Sequence, residues 1–359
     1  MTVSCIRRRR FIISSALLLS GWLPGWSGDT LAIRYAAEMT HLPVGSDIVA
    51  LGETGVVLPR HAVASLWNPA TPALLKHYEL SAEFADLYEG MSQHGCLTMA
   101  MPLSEGFGTS VIYMPFFSGA IPYYDTLPGS PDQRQGDPNL WSDGSARSTF
   151  SNNQHLLVLS CGRLFSHAMP RAPDAGFPLP FEIGVGCSFK SFWQTMKPDS
   201  VLRMGMGVNL DAGMIMRAGL DYSFLKKEVS RQLLFGVSIR DFLPSPIIWI
   251  NSRDEYDPDN EYREMMTRSY YTGLAYVDKS GNFGGVWTVS AAIEKRYALT
   301  YHYGVEAEFR DIIAFRAGLS DKIPSVGAGI KYKRYFLDYT FRFDELAFSY
   351  VRLAFGIRY

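Results

Sequence analysis

The sequence predicts an all-β chain: a transmembrane antiparallel β-barrel of about fourteen strands. Three observations predict it. The last nine residues alternate to the end, Val351, Leu353, Phe355, Ile357 and Tyr359 on one parity and Arg352, Ala354, Gly356 and Arg358 on the other. That pattern suits a wall with lipid outside and a polar lumen inside. The chain holds 32 glycines, 22 phenylalanines and 20 tyrosines but is only 19% charged, which fits many strands, tight turns and aromatic girdles better than helices. Nowhere does it carry the roughly 18–20 consecutive apolar residues of a transmembrane helix.

The N-terminus reads as an export signal. Arg7, Arg8, Arg9 and Arg10 form a positive region, Phe11 to Leu19 is a short apolar-leaning core, and Gly25, Trp26 and Ser27 offer a small-x-small cleavage site before Gly28. Cys5 precedes the apolar core and no cysteine follows it closely, which argues against a lipoprotein anchor. At the other end, a terminal aromatic with alternating apolar residues before it, Phe355, Ile357 and Tyr359, resembles the C-terminal insertion signal of bacterial outer-membrane barrels. The two ends share one address, the outer membrane, and imply the barrel-assembly machinery as a partner.

Removing residues 1–27 takes away four arginines and no acids, so the net charge of −1 becomes −5, which argues against nucleic acid as a partner. Cys96, Cys161 and Cys187 then remain, an odd number without CxxC spacing, a poor disulfide framework or metal site. They read as small packed residues, and no metal or other cofactor is expected.

From Tyr78 onward, period-two alternation marks fourteen segments: 78–88, 95–103, 107–117, 153–164, 180–192, 203–217, 232–242, 268–278, 286–295, 299–310, 312–319, 325–333, 335–343 and 347–359. Phe181, Ile183, Val185 and Phe189 face one way, while Glu182, Gly184, Gly186, Ser188 and Lys190 face the other. In an even-stranded barrel the loops after odd strands point outward and are longer. The longest gaps, 118–152 and 243–267, obey this, and the second carries Asp254, Asp257, Asp259 and Glu261. The gaps 165–179 and 218–231 fall on the periplasmic side and are long for that position, so the count could differ by two.

The chain thus divides into an export signal at 1–27, a segment without strand pattern at 28–77, and the barrel at 78–359. Within the middle segment stand Gly52, Glu53, Thr54 and Gly55, then Ala62 to Trp67, then Asn68, Pro69 and Ala70. Asn-Pro by itself is a turn signal. A glycine-containing segment leading to Asn-Pro-Ala before the first strand resembles the FadL-like outer-membrane transporters and the related PorV-like proteins. Gly304-Val305-Glu306, Phe315-Arg316-Ala317-Gly318, Gly327-Ala328-Gly329 and Leu337-Asp338-Tyr339 stand in the order seen in the spirochaetal FadL-like branch. The resemblance implies a fourteen-stranded barrel with a lumenal hatch, taking up hydrophobic small molecules such as long-chain fatty acids or other lipids. Pro59-Arg60-His61 departs from the small and acidic residues usual before Asn-Pro-Ala.

Two further features bear on mechanism. Pro115, followed by Phe116 and Phe117, sits near the outer end of the third segment, and proline cannot donate to a ladder. The FadL-like transporters have a kinked third strand that gives ligand a lateral exit, and this region is comparable; Pro115 could equally just end the strand. Glu294, Glu306, Glu308, Arg316, Lys331, Asp338, Arg342 and Arg352 share inward parity on successive strands, which reads as a lumen ion network. Only His302 shares such a face with carboxylates, Glu306 and Glu308, so a structural network is favoured over a catalytic site. The expected function is outer-membrane transport of hydrophobic compounds by a non-enzyme; the alternative is a non-transporting scaffold or secretion accessory of the PorV-like kind.

Overall fold

The computed structural model describes residues 37–359 apart from 105, 125–126, 142–143, 170–178, 198–201, 224–227, 252–263, 280–284 and 345–349. The export signal, the start of segment 28–77 and the acidic residues Asp254, Asp257, Asp259 and Glu261 lie outside the described residues.

Sixteen strands form one antiparallel sheet system: β1 (Glu79–Leu87), β2 (Ser92–Ser104), β3 (Phe107–Tyr123), β4 (Ser148–Met169), β5 (Leu179–Met196), β6 (Arg203–Ser223), β7 (Glu228–Arg240), β8 (Pro246–Asn251), β9 (Glu264–Met265), β10 (Ser269–Asp278), β11 (Gly285–Lys295), β12 (Leu299–Phe309), β13 (Ile313–Ser320), β14 (Ile323–Tyr332), β15 (Tyr335–Arg342) and β16 (Tyr350–Arg358). Fourteen of them close a barrel. β1 pairs with both β2 and β16, and β7 pairs with β6 and β10, so the wall has no free edge. At the seam, Tyr359 N–H donates to the Tyr78 carbonyl at 2.9 Å and Tyr78 N–H returns a bond at 3.2 Å.

The alternation read from sequence sets the two faces. In β16, Val351, Leu353 and Phe355 are exposed on the outside while Arg352 and Ala354 are buried inside. The same holds around the wall: Leu97, Phe189, Val305, Phe315 and Leu337 stand outward. So broad a band of exposed apolar side chains matches a hydrocarbon environment, since soluble monomers rarely expose contiguous apolar patches beyond a few hundred Å².

Strand ends differ from the sequence expectation where strands outrun their alternation. β3 continues six residues past Phe117 to Tyr123, and β4 begins at Ser148 rather than 153. Both ends project where neither face is covered, so the apolar–polar contrast lapses. β4, β5, β6 and β7 also run on at their other ends, which shortens the periplasmic gaps and leaves the count at fourteen. The span expected as one loop after the seventh strand instead contains β8 and β9. Ile239 of β7 pairs with Ala212 of β6, and Ile248 of β8 pairs with Met206, so β8 resumes the pairing of the seventh strand beyond a break at residues 241–245.

Candidate functional site

The lumen is filled by residues 37–77. This segment forms a 3-10 turn at Glu38–His41, a short helix α1 (Ser46–Ala50), and 3-10 turns at Ala62–Leu66 and Thr71–Leu74. Ile48, Leu51, Val56, Val63, Leu66 and Trp67 are buried against the inward faces of Ile112, Leu156, Phe192 and Leu234. A belt of wall glycines lets it sit flush. A β-carbon on Gly108 would overlap the Pro72 carbonyl, one on Gly186 the Pro69 carbonyl, one on Gly236 the Val56 carbonyl, and one on Gly318 the nitrogen of Gly52.

Asn68 does more than begin a turn. Its side-chain amide reaches the carbonyls of Val56 (2.8 Å), Met214 in β6 (3.0 Å) and Val237 in β7 (3.2 Å), while its carbonyl oxygen accepts from Ala70 N–H at 3.1 Å. Pro69 and Ala70 continue the same buried turn. Gly52 and Glu53 both adopt positive φ, 61° and 68°, a conformation easy for glycine and strained for glutamate. Three contacts hold it: His302 Nδ1 lies 3.0 Å from the Gly52 carbonyl, Tyr271 donates to the Glu53 carbonyl, and Arg342 pairs with the Glu53 carboxylate. Gly55 stands under the Trp67 indole, with no room for a side chain.

The inward charges pair off in separate clusters, and plug residues take part in several of them. Arg316 bridges Glu306 (2.7 Å) and Asp338, all three buried. Arg60 of the plug also pairs with Glu306 and donates to Thr288 at 2.8 Å. Glu83 on β1 accepts from Gly45 N–H (3.1 Å) and Ser46 N–H (2.7 Å), at the start of α1, and pairs with Arg352. Glu79 accepts from Ala62 N–H at 2.7 Å and pairs with Arg358 at 3.0 Å. Glu308 and Lys331 pair at 2.9 Å, and Glu294 accepts from Ser269 at 2.6 Å. The unusual Pro59-Arg60-His61 thereby acquires a physical reason: its cation and imidazole meet wall carboxylates, His61 lying 3.3 Å from Glu79.

A second buried cluster was not expected from sequence. Lys190 on β5 meets Asp211 on β6 (2.9 Å) and Asp241 at the wall break (3.0 Å), and His41 Nε2 meets Asp241 at 2.9 Å. Burial, reinforced by the neighbouring Arg240, drives the His41 pKa down to about 3 against the opposing pull of Asp241, so the imidazole is neutral at pH 7. Lys190 and Asp211 lay on inward parity and were visible in that sense. Asp241 stood near the end of the alternating segment 232–242 on its outward parity, yet it adopts a positive φ of 53° and is buried, while His41 lay in the segment without strand pattern.

Above the plug lies a cavity of about 310 Å³ at the outer end of the barrel, lined by Met39, Leu42, Tyr88, Phe116, Met196 and Trp249, with Gln154, Gln194 and the Glu38 carboxylate, which pairs with Arg296 at 2.7 Å, as polar groups. It sits at the lower end of the roughly 300–1,000 Å³ typical of small-molecule sites. Phe116 faces this cavity and Phe117 faces outward. Between them and the third strand's start, Pro115 lies in mid-strand, not at its end. β3 keeps one register with β2 on both sides of it, yet the pairing skips Gly95 and Cys96 opposite Met114 and Pro115. Pro115 stays paired with His155 of β4, so the missing N–H is felt on the β2 side. A second cavity of about 280 Å³ lies at the opposite end, by Leu74, Leu75, Pro102 and Phe107. Among the described residues, no group of three or more His, Cys, Asp or Glu side chains is placed to hold a metal ion.

These features define a class: a fourteen-stranded transmembrane β-barrel with a packed internal plug. No family model matches the chain, and no curated protein does. Solved structures similar to it include the toluene transporter TbuX of Ralstonia pickettii, at a TM-score of 0.46 and 10% identity over 88% of this chain and 98% of that one. Two more are the Pseudomonas putida toluene transporter TodX (0.47, 13%, 88% and 97%) and a Pseudomonas aeruginosa FadL homologue (0.40, 12%, 88% and 97%). At such scores and identities the likeness carries no functional conclusion, and the architecture rests on the strand pairings of the chain itself.

Proposed function

We propose that this protein moves hydrophobic small molecules across the outer membrane, long-chain fatty acids being the first compounds to test. In this reading a cleaved export signal at residues 1–27 delivers the chain, and the assembly machinery recognises Phe355, Ile357 and Tyr359. The observation that carries the proposal is the outer cavity, whose wall at Phe116 adjoins the place where β2 and β3 lose two ladder pairs. A ligand seated on Met39, Leu42 and Trp249 would have that interrupted ladder beside it, with the Gln154 amide open to a polar head, Gln194 donating to Asn152 and Glu38 held by Arg296. Residues 37–77 act as the hatch, and Pro115 keeps the lateral route open by withholding one donor. Replacing Pro115 with Val restores that donor in a residue suited to strands. Uptake of a fluorescent fatty acid should then fall while surface binding persists; unchanged uptake at equal surface expression would remove Pro115 from the mechanism.

One observation favours the rival reading, a non-transporting scaffold: the plug fits the wall without clearance at the glycine belt. Native mass spectrometry separates the two. Transport requires an apolar ligand of the membrane to copurify with the barrel and to be lost when Met196→Trp fills the cavity. A ligand-free barrel with full outer-loop exposure would favour the scaffold.

A further inference from the structure

The sequence holds four cysteines, and the fold sorts them. Cys5 belongs to the expected export signal and Cys96 is buried on the inner face of β2. Cys161 and Cys187, read from sequence as small packed residues, are instead exposed on the outer face and stand directly opposite each other on β4 and β5, with sulfurs 3.5 Å apart. The odd total that argued against a disulfide framework therefore contains one matched pair.

We propose that Cys161 and Cys187 form a disulfide that staples β4 to β5 on the lipid-facing wall. The register that opposes them is continuous from Asn152↔Met196 to Met169↔Leu179, without a bulge, and the next pair inward, Ser160 and Ser188, is locked by a buried hydroxyl hydrogen bond of 2.7 Å. Directly opposite residues of an antiparallel pair have Cα atoms ~4.5–5.5 Å apart, inside the ~4.4–6.8 Å that a disulfide bridges. Closing the 3.5 Å between the sulfurs to a bond takes rotation of the two side chains and a small local approach of the strands.

Position decides when the bond forms. Leu159, Val185 and Phe189 surround the pair on the outer face, and Arg163, two residues along, is exposed with its guanidinium 5.2 Å from the Phe165 ring. An exposed arginine marks the polar edge of the apolar band, so the pair lies just inside that edge. A thiolate is the reacting species and is costly in hydrocarbon, so oxidation belongs to the exported chain before lipid covers it. The oxidant is a disulfide-bearing thiol oxidase or small disulfide of the exported compartment. One cysteine thiolate attacks its disulfide to give a mixed disulfide, and the second displaces the remaining oxidant thiolate. Two thiols become one disulfide while the oxidant leaves as two thiols. Once inserted, the bond is shielded from polar reductants. This inference is independent of the ligand reading.

The test is differential alkylation of the full chain purified from outer membranes without reductant. After denaturation in N-ethylmaleimide, peptide mass spectrometry should find Cys161 and Cys187 linked and only Cys96 alkylated, with two further alkylations after reduction. Three alkylated cysteines without reductant, or a bond involving Cys96, would overturn it. A second arm treats the reduced, folded barrel in detergent with the lipophilic oxidant copper(II) bis(1,10-phenanthroline), which can enter the apolar belt that excludes polar agents. An intramolecular bond without dimer is expected, and Cys161 and Cys187 still alkylated after denaturation would show the geometry wrong. The C161S/C187S variant should fold and unfold at a lower denaturant concentration than the oxidised protein; equal midpoints would contradict a staple.

Discussion

Asn68 shows how one side chain can join two levels of structure. Its amide hydrogens serve carbonyls of the plug and of two wall strands, so removing them costs more than a turn. Asn68→Ala should destabilise by about 1–3 kcal/mol, the scale of buried hydrogen bonds left unmade. Asn68→Asp keeps the shape but turns a carboxylate toward three carbonyls, and should cost more than the alanine; detergent-phase urea unfolding checks the order. His41 supplies a pH dependence. Its imidazole is neutral in the fold, with a pKa near 3 against 6.5 when free, so between those values the unfolded chain binds a proton that the folded one refuses. Stability is complete above pH 6.5 and falls as the pH drops toward 3, by at most about 1.4 kcal/mol per unit. Unfolding midpoints at pH 7.5 and 4.5 should differ less in His41→Asn than in the native protein. From sequence, Asn68 was legible only as a turn residue because two of its partners lie on β6 and β7, and no local pattern encodes them. The Arg316 network was legible because parity alone sends its members inward.

At the scale of elements, the strands announced themselves and their ends did not. Alternation reports the contrast between lipid and lumen, so it marks the spanning part of β3 and misses Ser118–Tyr123, where both faces meet solvent. β8 escaped notice because two prolines and a break at 241–245 interrupt the period of the seventh strand. The plug gave only its absence of period and the Asn-Pro-Ala turn, since its contacts are with glycines scattered around the whole wall. That belt has a consequence. With residues 40–72 deleted, no wall side chain grows in to replace the plug, and the ladder that closes β1 to β16 is untouched. The truncated barrel should fold, keep its heat-modifiable migration, and conduct ions in a planar bilayer. Conductance equal to that of the intact protein would show the segment is no plug.

At the scale of the whole molecule, the transport proposed above joins the plug, the outer cavity and the interrupted ladder beside Pro115 into one route that bypasses the plugged lumen. Hydrophobic cargo has no need of a water-filled pore if it can pass from the cavity into the membrane. In that proposal the charged contacts between plug and wall would keep the plug seated while cargo passes above it. The measurement that bears on this most directly is uptake of a fluorescent long-chain fatty acid by cells whose own transporter is deleted, at matched surface expression of the native protein and of Met196→Trp. The account predicts saturable uptake with the native protein and its loss in the variant. No uptake above the empty-vector level from a fully assembled native barrel would contradict it.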